Sequence, residues 1–157
     1  MKKENIVYIG LKDLEQAEID LIRKEGLNAF TVMDIARGGL EPVIQSLTEL
    51  QKRVNNIWVS LDVDSIDSAY SPATPMATQG GLTRREIFNL TKFIGRMNKV
   101  VGMDLVELSP ELDEEEKTGK LVIELIANLL GSDYGWYAQY MKHEKEKQAQ
   151  RTADSQK

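Results

Sequence analysis

The sequence predicts an α/β fold, a three-layer α/β/α arrangement with helices on both faces of a mostly parallel sheet. Two observations carry that prediction. Short β-rich runs alternate with amphipathic stretches of helical length, and the residues between successive runs suffice for crossover helices. The two strongest strand-like runs, Ile57–Leu61 and Val100–Leu105, each lead into acidic residues, as in parallel sheets that place ligands beyond their carboxyl ends.

In chain order, Ile6-Val7-Tyr8-Ile9 reads as a buried strand that stops at Gly10. Leu14, Ala17, Leu21 and Ile22 then recur at helical spacing, with Gly26 as the stop. Ala29 to Ile35 is a short ambiguous stretch. Between Glu41 and Val54, the residues Val43, Ile44, Leu47, Leu50 and Val54 form an apolar stripe. Ile57-Trp58-Val59-Ser60-Leu61 is a strand that runs into Asp62-Val63-Asp64, and a loop rich in Ser, Pro, Thr and Gly follows. Thr83 and Glu86 have the spacing of a capping box ahead of a helix carrying Ile87, Leu90, Phe93, Ile94 and Met97. Val100 to Leu105 is the next strand. A last helix, from about Thr118, carries Leu121, Ile123, Leu125, Ile126 and Leu129.

Residues 1–131 thus form the α/β domain. Residues 132–157 form an aromatic segment, with Trp136, Tyr137 and Tyr140, and a charged tail expected to fray. Trp58 is expected in a core or an interface, and the aromatic cluster is expected to pack. Glu114-Glu115-Glu116 reads as a solvated loop beside a helix N-terminus.

Composition narrows the function classes. The chain has 157 residues, 41% of them hydrophobic, enough for one compact domain. A net charge of −5 with no basic patch argues against nucleic acid. Without cysteine there are neither disulfides nor thiolate ligands, which fits a cytoplasmic protein. The start Met-Lys-Lys-Glu-Asn runs straight into a strand, so no leader is expected. No apolar stretch approaches the roughly 18–20 residues of a membrane span.

Alternate residues of a strand share a face, so Asp62 and Asp64 are neighbours. Two adjacent anions repel unless a cation sits between them, and oxygen ligands suit magnesium, calcium or manganese. The competing reading is an exposed strand end whose carboxylates cap the next turn. Asp67 in the loop is equally suited to a turn role. His143, the single histidine, sits in the charged tail among Glu144, Lys145 and Glu146 and reads as solvated.

The longer pattern is more specific. Ser60 to Asp67, then Tyr70-Ser71-Pro72-Ala73-Thr74, then Gly80-Gly81-Leu82-Thr83-Arg84-Arg85-Glu86, resembles a signature of the ureohydrolase family of arginases, agmatinases, guanidinobutyrases and formimidoylglutamases. Val101-Gly102-Met103-Asp104-Leu105-Val106-Glu107-Leu108-Ser109-Pro110 and Ile9-Gly10-Leu11-Lys12 are similar to further family segments. The resemblance extends to about Leu130 and marks the chain as a carboxyl-terminal half. It implies hydrolysis of a guanidino or amidino C–N bond in a small substrate, by a hydroxide held between two Mn2+ ions about 3.5–4 Å apart. On it, Asp62 and Asp64 are metal ligands and Glu107 contacts the substrate guanidinium. Asp104 is a buried supporting aspartate, and Gly80 and Gly81 shape the adjoining loop.

The departures matter too. The family's Gly-Gly-Asp-His and Asp-Ala-His-x-Asp segments are absent, and Pro75-Met76-Ala77 stands where arginases have Gly-Thr-Pro. Two aspartates without a histidine cannot close a dinuclear site. The chain is therefore expected to be a split subunit with a complementary amino-terminal-half partner, a truncated fragment, or a non-catalytic interaction module. A cut sheet leaves an open edge, so a homo-oligomer or a heteromeric complex is expected.

Overall fold

The computed structural model describes residues 2–132. Helices and parallel strands alternate as expected. Strand β1 (Val7–Leu11), helix α1 (Gln16–Glu25), strand β2 (Asn28–Thr31) and helices α2 (Val32–Gly38) and α3 (Glu41–Arg53) come first. Strand β3 (Ile57–Asp62), helix α4 (Arg84–Arg96), strand β4 (Val100–Val106) and helix α5 (Lys117–Leu129) follow. The ambiguous stretch from Ala29 to Ile35 is a strand that turns straight into a helix. The turn is fixed by Thr31, whose hydroxyl accepts from the Asp34 amide at 3.1 Å while Asp34 accepts from the Thr31 amide at 2.9 Å. The Thr83–Glu86 capping box is present, with the Thr83 amide 2.7 Å from Glu86 Oε2.

Two features depart from expectation. The strand that was to stop at Gly10 continues through it to Leu11, with a shift in register between Ile9 and Leu11. Gly10 has φ +81, and an added Cβ would lie 2.9 Å from Leu82 Cδ1. A glycine in a strand marks a kink and a close approach here, where its position in sequence suggested a stop. The sheet is also discontinuous: β1 pairs with β2 and β3 with β4, each in parallel, and no ladder joins the two pairs.

One core nevertheless unites them. Val43, Leu47 and Leu50 of α3, Ile87, Leu90 and Ile94 of α4, and Leu121, Leu125 and Leu129 of α5 pack with Leu61 of β3. Val7, Ile9, Val59, Met103 and Leu105 border this cluster from the strands. Side chains alternate along a strand, so the opposite face of β3–β4 carries Trp58, Ser60, Asp62, Asp104 and Val106, all exposed. Trp58, expected in a core or interface, is 63% exposed on that face. Leu21 of α1 is likewise exposed, and α1 has no buried residue. Ile123, on the α5 stripe, points outward. The aromatic segment and His143 lie outside the described residues. No described helix is long and apolar enough to cross a membrane.

Candidate functional site

The carboxyl ends of β3 and β4 lie side by side, with Asp62 paired in register with Val106. Asp62 is the last residue of its strand and caps a single 3-10 turn, Val63–Ser65, by accepting from the Asp64 amide at 2.9 Å. That turn lifts Asp64 off the strand path, so the two carboxylates are presented from a turn, not along a flat strand face. The capping role and closeness of the pair thus coexist.

Asp64 is half-buried. Its carboxylate accepts from the Thr74 hydroxyl in a very short hydrogen bond, and its carbonyl accepts from Lys12 Nζ at 2.8 Å. Partial burial raises its carboxyl above the ordinary range. The negative charges of Asp62 and Glu107 push the same way, opposed by Lys12 and reinforced by Asp13. Acidic groups from three segments therefore converge electrostatically around one carboxyl.

Glu107 follows β4 directly and is exposed, in a left-handed backbone conformation with φ +63. Non-glycine residues held there are strained, and such strain clusters at functional sites.

The loop after β3 is built from the inside. Asp67 accepts from the amides of Ala69 at 2.8 Å and Gly80 at 2.7 Å, and these bonds hold its carboxyl below the usual range. Asp67 is thus a loop organiser, the turn role open to it in the sequence. Gly80 has φ +85, which favours glycine. Gly81 is needed for closeness instead: a Cβ there would lie 2.5 Å from both Asp67 N and Ile66 C. Ala73, buried, donates to Thr118 Oγ1 at 3.1 Å and accepts from the Ser109 amide at 2.9 Å. This locks the loop to α5 and to the segment after Glu107. Met76 is 63% exposed.

Asp104 is exposed, not buried. It lies on the bare face of β3–β4, where Ser60 and Trp58 donate to it and hold its carboxyl below the usual range. The expected burial fails because nothing among the described residues covers that face. Two site residues escaped sequence reasoning, Lys12 and Thr74. The strand-end rule, applied to β1 as well, points to Lys12; Thr74 had only its place in the Tyr70–Thr74 segment as a signal.

The oxygen donors of Asp62 and Asp64 suit a divalent cation in kind but not in number. Among the described residues, no three of His, Cys, Asp and Glu group so as to hold one. A closed metal centre needs donors that the described residues do not place there.

Comparisons with known proteins identify the family of this chain. A model of the arginase family matches residues 1–131. The arginase of Plasmodium berghei (strain Anka) is 39% identical over 150 residues, covering 85% of this chain and 42% of that protein. The structure of Bacillus caldovelox arginase superposes with a TM-score of 0.79 at 29% identity, covering 84% of this chain and 44% of that one. Formimidoylglutamase from Bacillus subtilis superposes with a TM-score of 0.75 at 26% identity, covering 82% and 41%. The chain spans less than half the length of these relatives. With a family match across the α/β domain and this arrangement of strand-end carboxylates, the chain belongs to the arginase family.

Proposed function

We propose that this chain carries part of a manganese-dependent ureohydrolase site, which hydrolyses a guanidino or amidino C–N bond once residues outside the chain complete it. The observation behind this reading is the convergence of Asp62, Asp64 and Glu107 at the adjacent ends of β3 and β4, close enough for the first and last to raise the carboxyl of the second. Mutual repulsion of that kind is relieved by a cation, and Asp62 and Asp64 are the ligands this chain offers. Glu107 is left to face substrate. A carboxylate matches a planar guanidinium by paired charge-assisted hydrogen bonds, and its strained backbone fixes the direction in which it points. Asp67, Gly80 and Gly81 hold the loop, and Thr74 and Lys12 fix Asp64.

The test is reconstitution. The chain alone should bind manganese weakly by calorimetry and release no urea from arginine or agmatine. Supplied with the missing part of a family enzyme, it should gain urea release that Glu107→Gln strongly reduces while metal content stays unchanged. Asp62→Ala with Asp64→Ala should remove metal binding. Tight binding that survives the double variant would overturn the ligand assignment. A completed assembly that releases no urea would favour the non-catalytic, interaction-module reading.

A further inference from the structure

Helix α5 carries two apolar faces. Leu121, Leu125 and Leu129 enter the core, whereas Gly119, Ile123, Ile126, Ala127 and Leu130 recur at helical spacing on another side. In this second set Ile123 is 61% exposed, Leu130 is 70% exposed and the others are half-buried. Toward the start of the helix the stripe runs into a surface cleft that Leu108 and Pro110 line together with Ile123. Single apolar side chains are ordinary on a surface, but a continuous stripe marks a contact site.

The far end of the stripe is where the chain leaves the helix. Gly131, at φ +77, donates to the Asn128 carbonyl, and the Ser132 amide donates to the Ala127 carbonyl, each at 2.9 Å. These two bonds form a Schellman motif, which stops the helix and turns the chain out of its axis beside Ala127 and Leu130. The residue after the glycine usually adds an apolar contact to the last turn. Here it is Ser132, so that contact is left to residues further on.

The sequence beyond supplies them. Twenty-five residues follow Ser132, and Tyr134, Trp136, Tyr137, Tyr140 and Met141 fall within the first nine. Nine residues reach about 30 Å when extended, and the stripe from Gly119 to Leu130 is only about 17 Å long. Lys142, Lys145 and Lys147 come next, while exposed Glu114, Glu115 and Glu116 stand immediately before α5 at the other end of the stripe. A run back along the helix therefore sets aromatic side chains against the stripe and cations against these glutamates.

We infer that the outward stripe of α5 is the docking surface for this chain's own aromatic segment, residues 134–141. This surface is independent of the chemistry proposed at the strand ends. Docked there, the segment covers an apolar patch that would otherwise recruit a second copy or another apolar partner.

Thiol labelling of the full 157-residue chain tests it, since the chain has no cysteine of its own. Ile123→Cys places one thiol in the stripe, and Met33→Cys, on α2 and 55% exposed, places one on an unrelated surface. Each is made in the parent and in a Trp136→Ser, Tyr137→Ser, Tyr140→Ser background, with iodoacetamide as the probe. Alkylation at position 123 should be about 10-fold slower with the aromatic residues present than without them, and position 33 should not distinguish the backgrounds. Protection should be the same at low and high protein concentration. Lys142→Glu, Lys145→Glu and Lys147→Glu together should weaken it, and unchanged protection would overturn the path back along the helix. Equal rates at position 123 in the two backgrounds overturn the inference, and so does slow labelling that persists in the serine background. Protection that grows with concentration assigns the stripe to a second copy and overturns it as well.

Discussion

Replacing Gly81 by alanine tests how the loop is built. Gly81 has no positive φ to defend, so alanine costs it nothing in backbone conformation. The added methyl meets backbone instead: Asp67 N and Ile66 C at 2.5 Å and Ser65 O at 2.8 Å. Comfortable carbon contacts start at about 3.5 Å, so the two segments must part by about 1 Å. The parting strains the two hydrogen bonds that join them, Asp67 N to Leu82 O at 3.0 Å and Leu82 N to Ser65 O at 2.8 Å. Each is worth about 0.5–1.5 kcal/mol, which puts the loss at about 1–3 kcal/mol, the range typical of overpacking. Thermal unfolding should fall by roughly 2–8 °C for each kcal/mol. Gly80→Ala is the control, because nothing lies near its Cβ and only the φ of +85 resists. The cost there is about 1–2 kcal/mol of conformational strain. A Gly81→Ala protein as stable as the parent would refute the close-approach account.

Three further outcomes are expected. Thr31→Ala should cost about 1 kcal/mol, by loss of the cap at the start of α2. Thr31 holds the Asp34 carboxyl below its ordinary value, so its stabilisation is complete above the unfolded carboxylate range and is lost as pH falls through the lower folded value. Urea titrations should therefore show a shallower acid limb in the variant, and an unchanged limb would disprove the linkage. Glu107→Gly should relieve the strain at φ +63 and leave the protein at least as stable in chemical denaturation, while a completed assembly loses turnover. Leu125→Ala, at a side chain with 0% exposure between α5 and the core, should cost about 2–5 kcal/mol in the same measurement.

Much of this was legible along the chain. The strands at Ile57 and Val100 and the cap at Thr83 are local patterns, and local patterns survive the loss of distant chain. Attention fell on Asp62 and Glu107 because strand ends are where parallel sheets present ligands. What escaped notice is lateral. Periodicity reports which face of a strand is apolar but not which strand lies beside it, so the break between the β1–β2 and β3–β4 pairs left no trace. Trp58 and Asp104 were expected under cover for a related reason. The indole of Trp58 suits a covered face and the family resemblance implied cover for Asp104, but no pattern in 157 residues tells what lies over them. Lys12 reaches Asp64 across 52 positions, beyond any motif window.

The pairing of Trp58 with Gly102 makes the bare sheet face optically addressable. Its six-membered ring lies where a Cβ on residue 102 would be, within 2.3 Å of the ideal position, and its Nε1 donates to Asp104 at 2.8 Å. An indole held in one orientation but open to water emits at long wavelength and is quenched by small solutes. In a Trp136→Phe background it becomes the chain's single tryptophan, excited selectively above the tyrosine absorption. Any polypeptide that settles over this face should then shift its emission to the blue and shield it from iodide, giving a label-free titration of assembly.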